Sequence, residues 1–331
     1  MDDLTIVTGG AGFIGSHLVD QLTAEGRLVR VIERPGANVD HLPDSVEVVF
    51  ADIRERAGLD RPMRGARWVY HLAANPNLWA RDRSEFDRVN RQGTIHVLDA
   101  AIAAGVERVL HTSTESILTR KRMMGPIDEN VRIELKDTVG PYCRSKLMAE
   151  RYAFDLAGAG HPVVVANPTM PIGPGDRGLS PPSRLLLDFC LGKIPAAIDC
   201  TLNLIDVRDV ATGLHRVMER GEPGRRYVLG HANLTLMSLL EEIGRVVDRP
   251  APRWRVPYSV GLMIALTSEL WADRISGRMP KATVTGLRLT RRLMHFDTTR
   301  TRLDLGLEPR PISESLRDAV AWLRQTGRIP V

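Results

Sequence analysis

Six short apolar runs, LTIV, LVRVIE, VEVVFADI, RWVYHLAA, RVLHTST and PVVVAN, alternate with helical spans through the first 167 residues of this chain. Runs so short and so continuously apolar need cover on both faces, which a parallel sheet with helical crossovers provides. The expected fold class is α/β, a doubly wound parallel sheet, and such sheets take ligands at the carboxyl ends of their strands. After Asn167 the pattern breaks at PTMPIGPGDRGLSPPS, which is dense in Pro and Gly. LNLIDVRDVATG restores strand-then-helix character, and one further strand, RRYVLG, precedes a mostly helical remainder ending in ISESLRDAVAWLRQTG. The chain is divided accordingly: 1–168 forms a dinucleotide-binding domain to which 204–221 returns, while 169–203 and 222–331 form a smaller, mostly helical substrate lobe.

The first run leads directly into VTGGAGFIGSHLVDQL, so Gly9, Gly12 and Gly15 follow a strand and open a helix. Glycine there permits a tight turn, close approach of the backbone to a pyrophosphate, and close packing of the helix on the sheet. The spacing is G-x-x-G-x-x-G, and a merely tight strand–helix turn is the competing explanation. Glu33, 18 positions after Gly15 at the end of the second strand, favours the dinucleotide. An acid there accepts hydrogen bonds from ribose hydroxyls and repels a 2′-phosphate, which points to NAD. Arg34 follows at once and could hold that phosphate instead, so NADP stands as the alternative, with a solvated arginine as the bland one.

Composition excludes several classes. The 331 residues are 43% hydrophobic and carry a formal charge of +5 from 45 basic and 40 acidic residues, as in a globular protein with a sizeable core. The bases are scattered and not interleaved with aromatics, so no nucleic-acid partner is expected. Cys143, Cys190 and Cys200 form no C-x-x-C pair, which suits a reducing compartment. MDDLTIVTGG has neither the basic start nor the apolar core of a signal peptide, and a cytoplasmic location is expected. The nine histidines show no H-x-x-H spacing, and no metal site is expected.

TGGAGFIG, HLAA at 71–74, HTST at 111–114, YCRSK at 142–146 and NPTMPIGPGD at 167–176 occur in the order seen in the extended short-chain dehydrogenase/reductases of the NAD-dependent epimerase/dehydratase type, which this chain resembles. HLAANPNLWARD, LNLIDVRDVATG and RRYVLGHANLTL are similar to the hopanoid-associated sugar epimerase group, itself close to dihydroflavonol reductases and 3β-hydroxysteroid dehydrogenases. The resemblance implies a Rossmann-type sheet, a small-molecule substrate that is a sugar nucleotide or hopanoid-linked, and a homodimer formed through the helices after Asn90 and Tyr142. It also implies cofactor contacts from Phe13, Ile14, Asp52, Ile53, Leu72, Ala73, Ala74, Asn90, Thr112, Ser113, Asn167 and Pro168, in addition to Gly9, Gly12, Gly15, Glu33 and Arg34. For Asn90 a helix cap is the competing role, and Asp209 is read as a cap.

Oxidising a carbinol, or reducing a ketone, needs a group that moves the hydroxyl proton. A tyrosine with its ordinary pKa of about 10 does this at neutral pH only beside a cation. Lys146 lies at i+4 from Tyr142 on one helix face and supplies that charge, and it is also placed to hold the nicotinamide ribose. Matching the family pattern gives Thr114 the hydrogen bond to the substrate oxygen, although hydroxyls at strand ends are common caps. Sugar dehydratases carry an acid two residues beyond this Thr, where this chain has Ser116. Glu115 sits one place early, and on an extended segment it points away, which counts against elimination chemistry. An epimerase and, as the alternative, a net ketone or aldehyde reductase or 3β-hydroxysteroid dehydrogenase-like enzyme on an isoprenoid-derived substrate share all these residues, and a non-catalytic nucleotide-binding regulator is disfavoured by them. Arg184, Arg225 and Arg226 are loose candidates for holding substrate phosphates.

The segment 257–272, PYSVGLMIALTSELWA, is too short to span a bilayer. Val260, Met263, Ile264, Leu270 and Trp271 share a helical face that is expected to pack on the second lobe; an interfacial helix serving a lipid-like substrate is the alternative.

Overall fold

A computed structural model describes residues 4–121 and 123–330. The acidic start at Asp2 and Asp3 lies outside the described residues. The strands are β1 (Leu4–Thr8), β2 (Leu28–Glu33), β3 (Glu47–Phe50), β4 (Ala66–His71), β5 (Arg108–Thr112), β6 (Val163–Pro168), β7 (Met170–Ile172), β8 (Ala196–Ala197), β9 (Thr201–Asp206), β10 (Arg226–Leu229), β11 (Ala232–Thr235) and β12 (Trp254–Arg255). Seven of them form one sheet in the order β3-β2-β1-β4-β5-β6-β10, and every pairing is parallel. This is the doubly wound, Rossmann-type order, whose direction of winding reverses between β1 and β4.

Strand alternation sends successive side chains to opposite faces, and both faces are covered. Val7, Tyr70, Leu110 and Val164 pack under the Phe13–Ala24 and Val207–Arg220 helices. Ile6, Val69, Val109 and Val165 pack under the Gly93–Ala103 and Gly140–Gly158 helices. All eight side chains are fully buried, and burying each contributes roughly 1.5–3 kcal/mol relative to exposure.

Two expectations about the chain division need correction. Strand 226–229, assigned to the second lobe, is the edge strand β10 of the large sheet, because its buried Tyr-Val-Leu run pairs in parallel with β6. Conversely, the segment 204–221 was expected to return to the first domain, but its residues 204–206 belong to β9 (201–206), which lies in a separate three-stranded sheet, β11-β9-β7. Ile205 of β9 and the helix that follows it, Val207–Arg220, do pack against the core of the large sheet. Asp209 is not the cap of that helix. Asp206 is, accepting from the backbone N–H of Arg208 at 2.8 Å, whereas Asp209 accepts from the backbone and guanidinium of Arg310. The second lobe has its own core, including Leu186, Phe189, Leu204, Leu240, Ile243, Leu316 and Val320.

Candidate active site

The glycine turn stands at the winding reversal, where its backbone meets β4. Gly9 adopts φ +73°, and a Cβ there would come within 2.7 Å of the Ala73 backbone N. A Cβ on Gly15 would lie 2.1 Å from the Gly9 carbonyl O. Both glycines are therefore required by close approach, and the turn presents the N-terminus of the Phe13–Ala24 helix at the strand ends, a geometry that suits a phosphate. Gly10 is equally constrained, its Cβ position falling 2.6 Å from Val31, whereas Gly12 meets nothing nearer than 3.1 Å. Gly10 was missed because it lies outside the glycine spacing and is demanded by a side chain of the neighbouring strand. Phe13 packs edge-on against His17, and Ile14 sits half-buried on the core.

Glu33 is half-buried at the end of β2, and its Oε1 accepts from the Ala11 N–H of the turn at 2.9 Å. Burial raises its pKa, opposed by the hydrogen bonds from Ala11 and Arg34. Arg34 is exposed beside it. Asp52 is committed to a fork with Arg54, which holds its carboxyl below the usual range. Ile53 is buried against Gly93. Leu72 donates its N–H to the Thr8 carbonyl, and Ala73 and Ala74 follow it along the rim beside Gly9.

Tyr142 and Lys146 lie on the Gly140–Gly158 helix and are both buried. Lys146 Nζ donates to the Thr112 carbonyl O at 2.8 Å, which fixes the ammonium under the end of β5. Burial pushes its pKa down to about 8, and the Glu150 carboxylate opposes that fall. Desolvation drives the Tyr142 phenol well up, Glu115 adds to the rise, and the Thr114 hydroxyl counters it. The ring packs edge-on against Phe86 at 6.3 Å.

Thr114, extended at φ −158°, caps a single tight turn, Glu115–Ile117. This corrects the expectation for Glu115: the segment is not extended at that point, so the alternation argument does not apply. The Glu115 carboxylate instead accepts from Thr114 Oγ1 at 2.9 Å and Ser116 Oγ at 3.2 Å, and it bears on Tyr142. Desolvation raises its own pKa. Thr114 is thus both a cap and a hydroxyl at the site. Ser113 and Thr112 are buried beside it.

Asn90 is fully buried inside a π-helical turn, Asp87–Gln92, and does not cap a helix. Its amide pins the backbone of Asn75, accepting from the N–H at 2.7 Å and donating to the carbonyl O at 3.1 Å. Asn167 on β6 donates from Nδ2 to the Thr114 carbonyl and to Glu150 Oε2, and Pro168 ends the strand beside Leu229. Glu150, 1% exposed, also takes an ion pair from Arg226. Sequence reasoning missed Glu150, although a signal was present: Tyr142, Lys146 and Glu150 stand at i, i+4 and i+8 on one face. Arg226, held by Glu150 and by the carbonyls of Glu129 and Val131, is no phosphate clamp, and Arg225 pairs with Asp304. Arg184 is exposed on the Pro181–Cys190 helix.

Residues 5–230 match the NAD dependent epimerase/dehydratase family. A protein of Synechocystis sp. provisionally named dihydroflavonol 4-reductase is 34% identical over 99% of this chain and 97% of its own length. Sterol demethylase protein B of Methylococcus capsulatus is 31% identical over 98% and 99%. UDP-glucose 4-epimerase of Thermus thermophilus, solved in complex with NAD, superimposes with a TM-score of 0.78 over 97% of this chain and 99% of its own, at 22% identity.

Proposed function

This chain belongs to the NAD-dependent epimerase/dehydratase family of enzymes, and from that premise we propose that it is an NAD-dependent oxidoreductase of a carbinol or ketone on an apolar, isoprenoid-type substrate. One observation carries the chemistry. Tyr142 and Lys146 are buried together at the carboxyl ends of β5 and β6, with the ammonium anchored on Thr112 and the phenol beside Thr114.

NAD supplies the hydride acceptor or donor. Gly9, Gly10, Gly12, Gly15 and the start of the Phe13–Ala24 helix would hold its phosphates; Glu33, Asp52 and Ile53 would hold the adenosine, and Ala73, Ala74, Asn167 and Pro168 the nicotinamide side. Tyr142 takes the substrate hydroxyl proton during oxidation and returns it during reduction. Lys146 lowers the cost of the phenolate in a desolvated site, where a nearby charge acts strongly. Thr114 orients the substrate oxygen, and Asn167 fixes the Thr114 backbone while tying it to Glu150.

The substrate class is supported by how two candidate arginines are engaged and by the names of relatives. Arg225 and Arg226, two candidate clamps for a sugar diphosphate, are committed to Asp304 and Glu150. Two relatives above 30% identity carry the names of a dihydroflavonol reductase and a sterol demethylase. A hopanoid-linked substrate fits the same description. The substrate lobe in this reading is 169–203 together with the chain after β10, and the assembly is a cytoplasmic homodimer built on the Gly93–Ala103 and Gly140–Gly158 helices, which sizing chromatography tests.

Incubation with NAD and panels of sterol-like and nucleotide-sugar alcohols tests the reading through nicotinamide absorbance. Stoichiometric reduced cofactor from the apolar panel is expected. An isomerised sugar nucleotide with no net cofactor change would replace the proposal with an epimerase. Tyr142→Phe is expected to retain NAD binding and lose at least about a hundredfold in turnover, the usual worth of a positioned acid/base group.

A further inference from the structure

The Tyr258–Trp271 helix, YSVGLMIALTSELW, is apolar on its outer as well as its inner side. Its small side chains face the protein: Ala265 and the following Ala272 are buried, and Gly261 lies against Leu287. Its large apolar side chains face outward, with Met263 67% and Trp271 59% exposed and Val260, Ile264, Leu266 and Leu270 exposed beside them. The expectation that this face packs on the second lobe is therefore overturned. In the sequence flanking the helix, Trp254 is 77% exposed on one side, and Ile275 at 65% and Met279 are exposed on the other. Large apolar side chains exposed together on one helical face mark an interaction site.

The charge around it indicates the partner. Residues 253–291 contain seven bases (Arg253, Arg255, Arg274, Arg278, Lys281, Arg288 and Arg291) against two acids, Glu269 and Asp273, so this stretch accounts for the chain's whole formal excess of +5. Both acids are engaged by groups of the protein, although Asp273 stays 38% exposed, and of the bases Arg255 is paired with Asp199. Glu269 accepts from the Val284 N–H and pairs with Arg83, and Asp273 accepts from Trp79 Nε1 and Arg83. What faces out is an apolar ridge bordered by cations. Among the described residues no helix is long and apolar enough to cross a membrane.

We infer that the Tyr258–Trp271 helix and the turn after it dock the enzyme on the surface of an anionic lipid bilayer, the ridge entering the acyl boundary and the arginines meeting lipid phosphates. The inference deepens the apolar-substrate reading and rests on it for its purpose, since such a substrate resides in the bilayer. Its evidence is the exposed face and the charge.

Flotation with phosphatidylcholine vesicles, with and without phosphatidylglycerol, tests it, alongside sedimentation velocity without lipid and NAD binding as a check on folding. Wild type is expected to float with the anionic vesicles several-fold more than with the neutral ones, and less as salt screens the charges. A Met263→Asp, Ile264→Asp pair is expected to lower the bound fraction at least about tenfold while NAD binding persists. An Arg274→Glu, Arg278→Glu pair is expected to abolish the preference for anionic lipid. Failure of wild type to float, or equal flotation of the aspartate pair, overturns the inference. So does a lipid-free dimer that the aspartate pair converts to monomer without any flotation, which would give the face to a second copy of the chain. Turnover on a soluble substrate is read separately, so loss of vesicle binding and failure of the oxidoreductase reading remain distinct results.

Discussion

Replacing Lys146 with Met should make the cofactor-free protein more stable at neutral pH, and the gain should vanish in alkali. Lys146 is buried, and burial pushes its pKa from 10.5 to about 8. Below pH 8 the ammonium is charged in both the folded and unfolded states, so folding bears the full cost of desolvating it. Between pH 8 and 10.5 the unfolded chain keeps the proton and the folded one has lost it, so stability rises with pH. Above 10.5 both are neutral and the penalty is gone. The difference of about 2.5 units corresponds to about 3 kcal/mol, at 1.36 kcal/mol per unit. Met fills the same space without a charge but abandons the Thr112 carbonyl, a loss of about 1 kcal/mol that does not depend on pH. The variant should therefore be more stable by about 2 kcal/mol at pH 7, and the two proteins should draw level near pH 10. Urea unfolding of both at matched pH values from 7 to 10 measures this. A difference that stays constant across that range would refute the claim that the lysine is held charged against its burial. If Lys146 supports the Tyr142 phenolate as proposed, turnover of the variant should also be lost at every pH.

Three further substitutions test the surroundings of the pair. Glu150→Gln removes the carboxylate that opposes the fall in the Lys146 pKa and leaves Arg226 without its buried partner. It should move the alkaline loss of activity to lower pH and destabilise by about 3 kcal/mol, read from the pH–rate profile and urea unfolding. Glu115→Gln removes a charge that disfavours the Tyr142 phenolate, so the limb on which alcohol oxidation rises with pH should shift toward acid by roughly one unit; an unmoved limb would show that Glu115 does not act on the tyrosine. Gly15→Ala should abolish NAD binding or folding, because its Cβ would stand 2.1 Å from the Gly9 carbonyl, whereas Gly12→Ala, with 3.1 Å to its nearest neighbour, should retain measurable affinity by calorimetry.

What the sequence made legible and what it hid differ by the range of the interaction involved. The large sheet was readable because each of its strands is a local apolar run, and Tyr142 with Lys146 because their spacing is one helical turn. The membership of 226–229 in that sheet was not readable, because it depends on a partner about 60 residues upstream, β6. Glu115 was misplaced for a different reason: the rule of alternating side chains holds only while the strand lasts, and β5 ends at Thr112, before the residue in question. From there Thr114 turns the chain by accepting from the Ser116 N–H, and that single cap carries the carboxylate back toward the tyrosine. The outward face of the Tyr258–Trp271 helix escaped prediction because periodicity identifies an apolar stripe without saying which side of it is packed. Here the small residues Gly261, Ala265 and Ala272 let the helix lie close to the body of the protein, which leaves the larger side chains on the side away from it. Close approach through small residues thus shaped both regions: at Gly9 and Gly15 it lets the turn close on itself and on Ala73 at the strand ends, and along Tyr258–Trp271 it turns a hydrophobic surface outward.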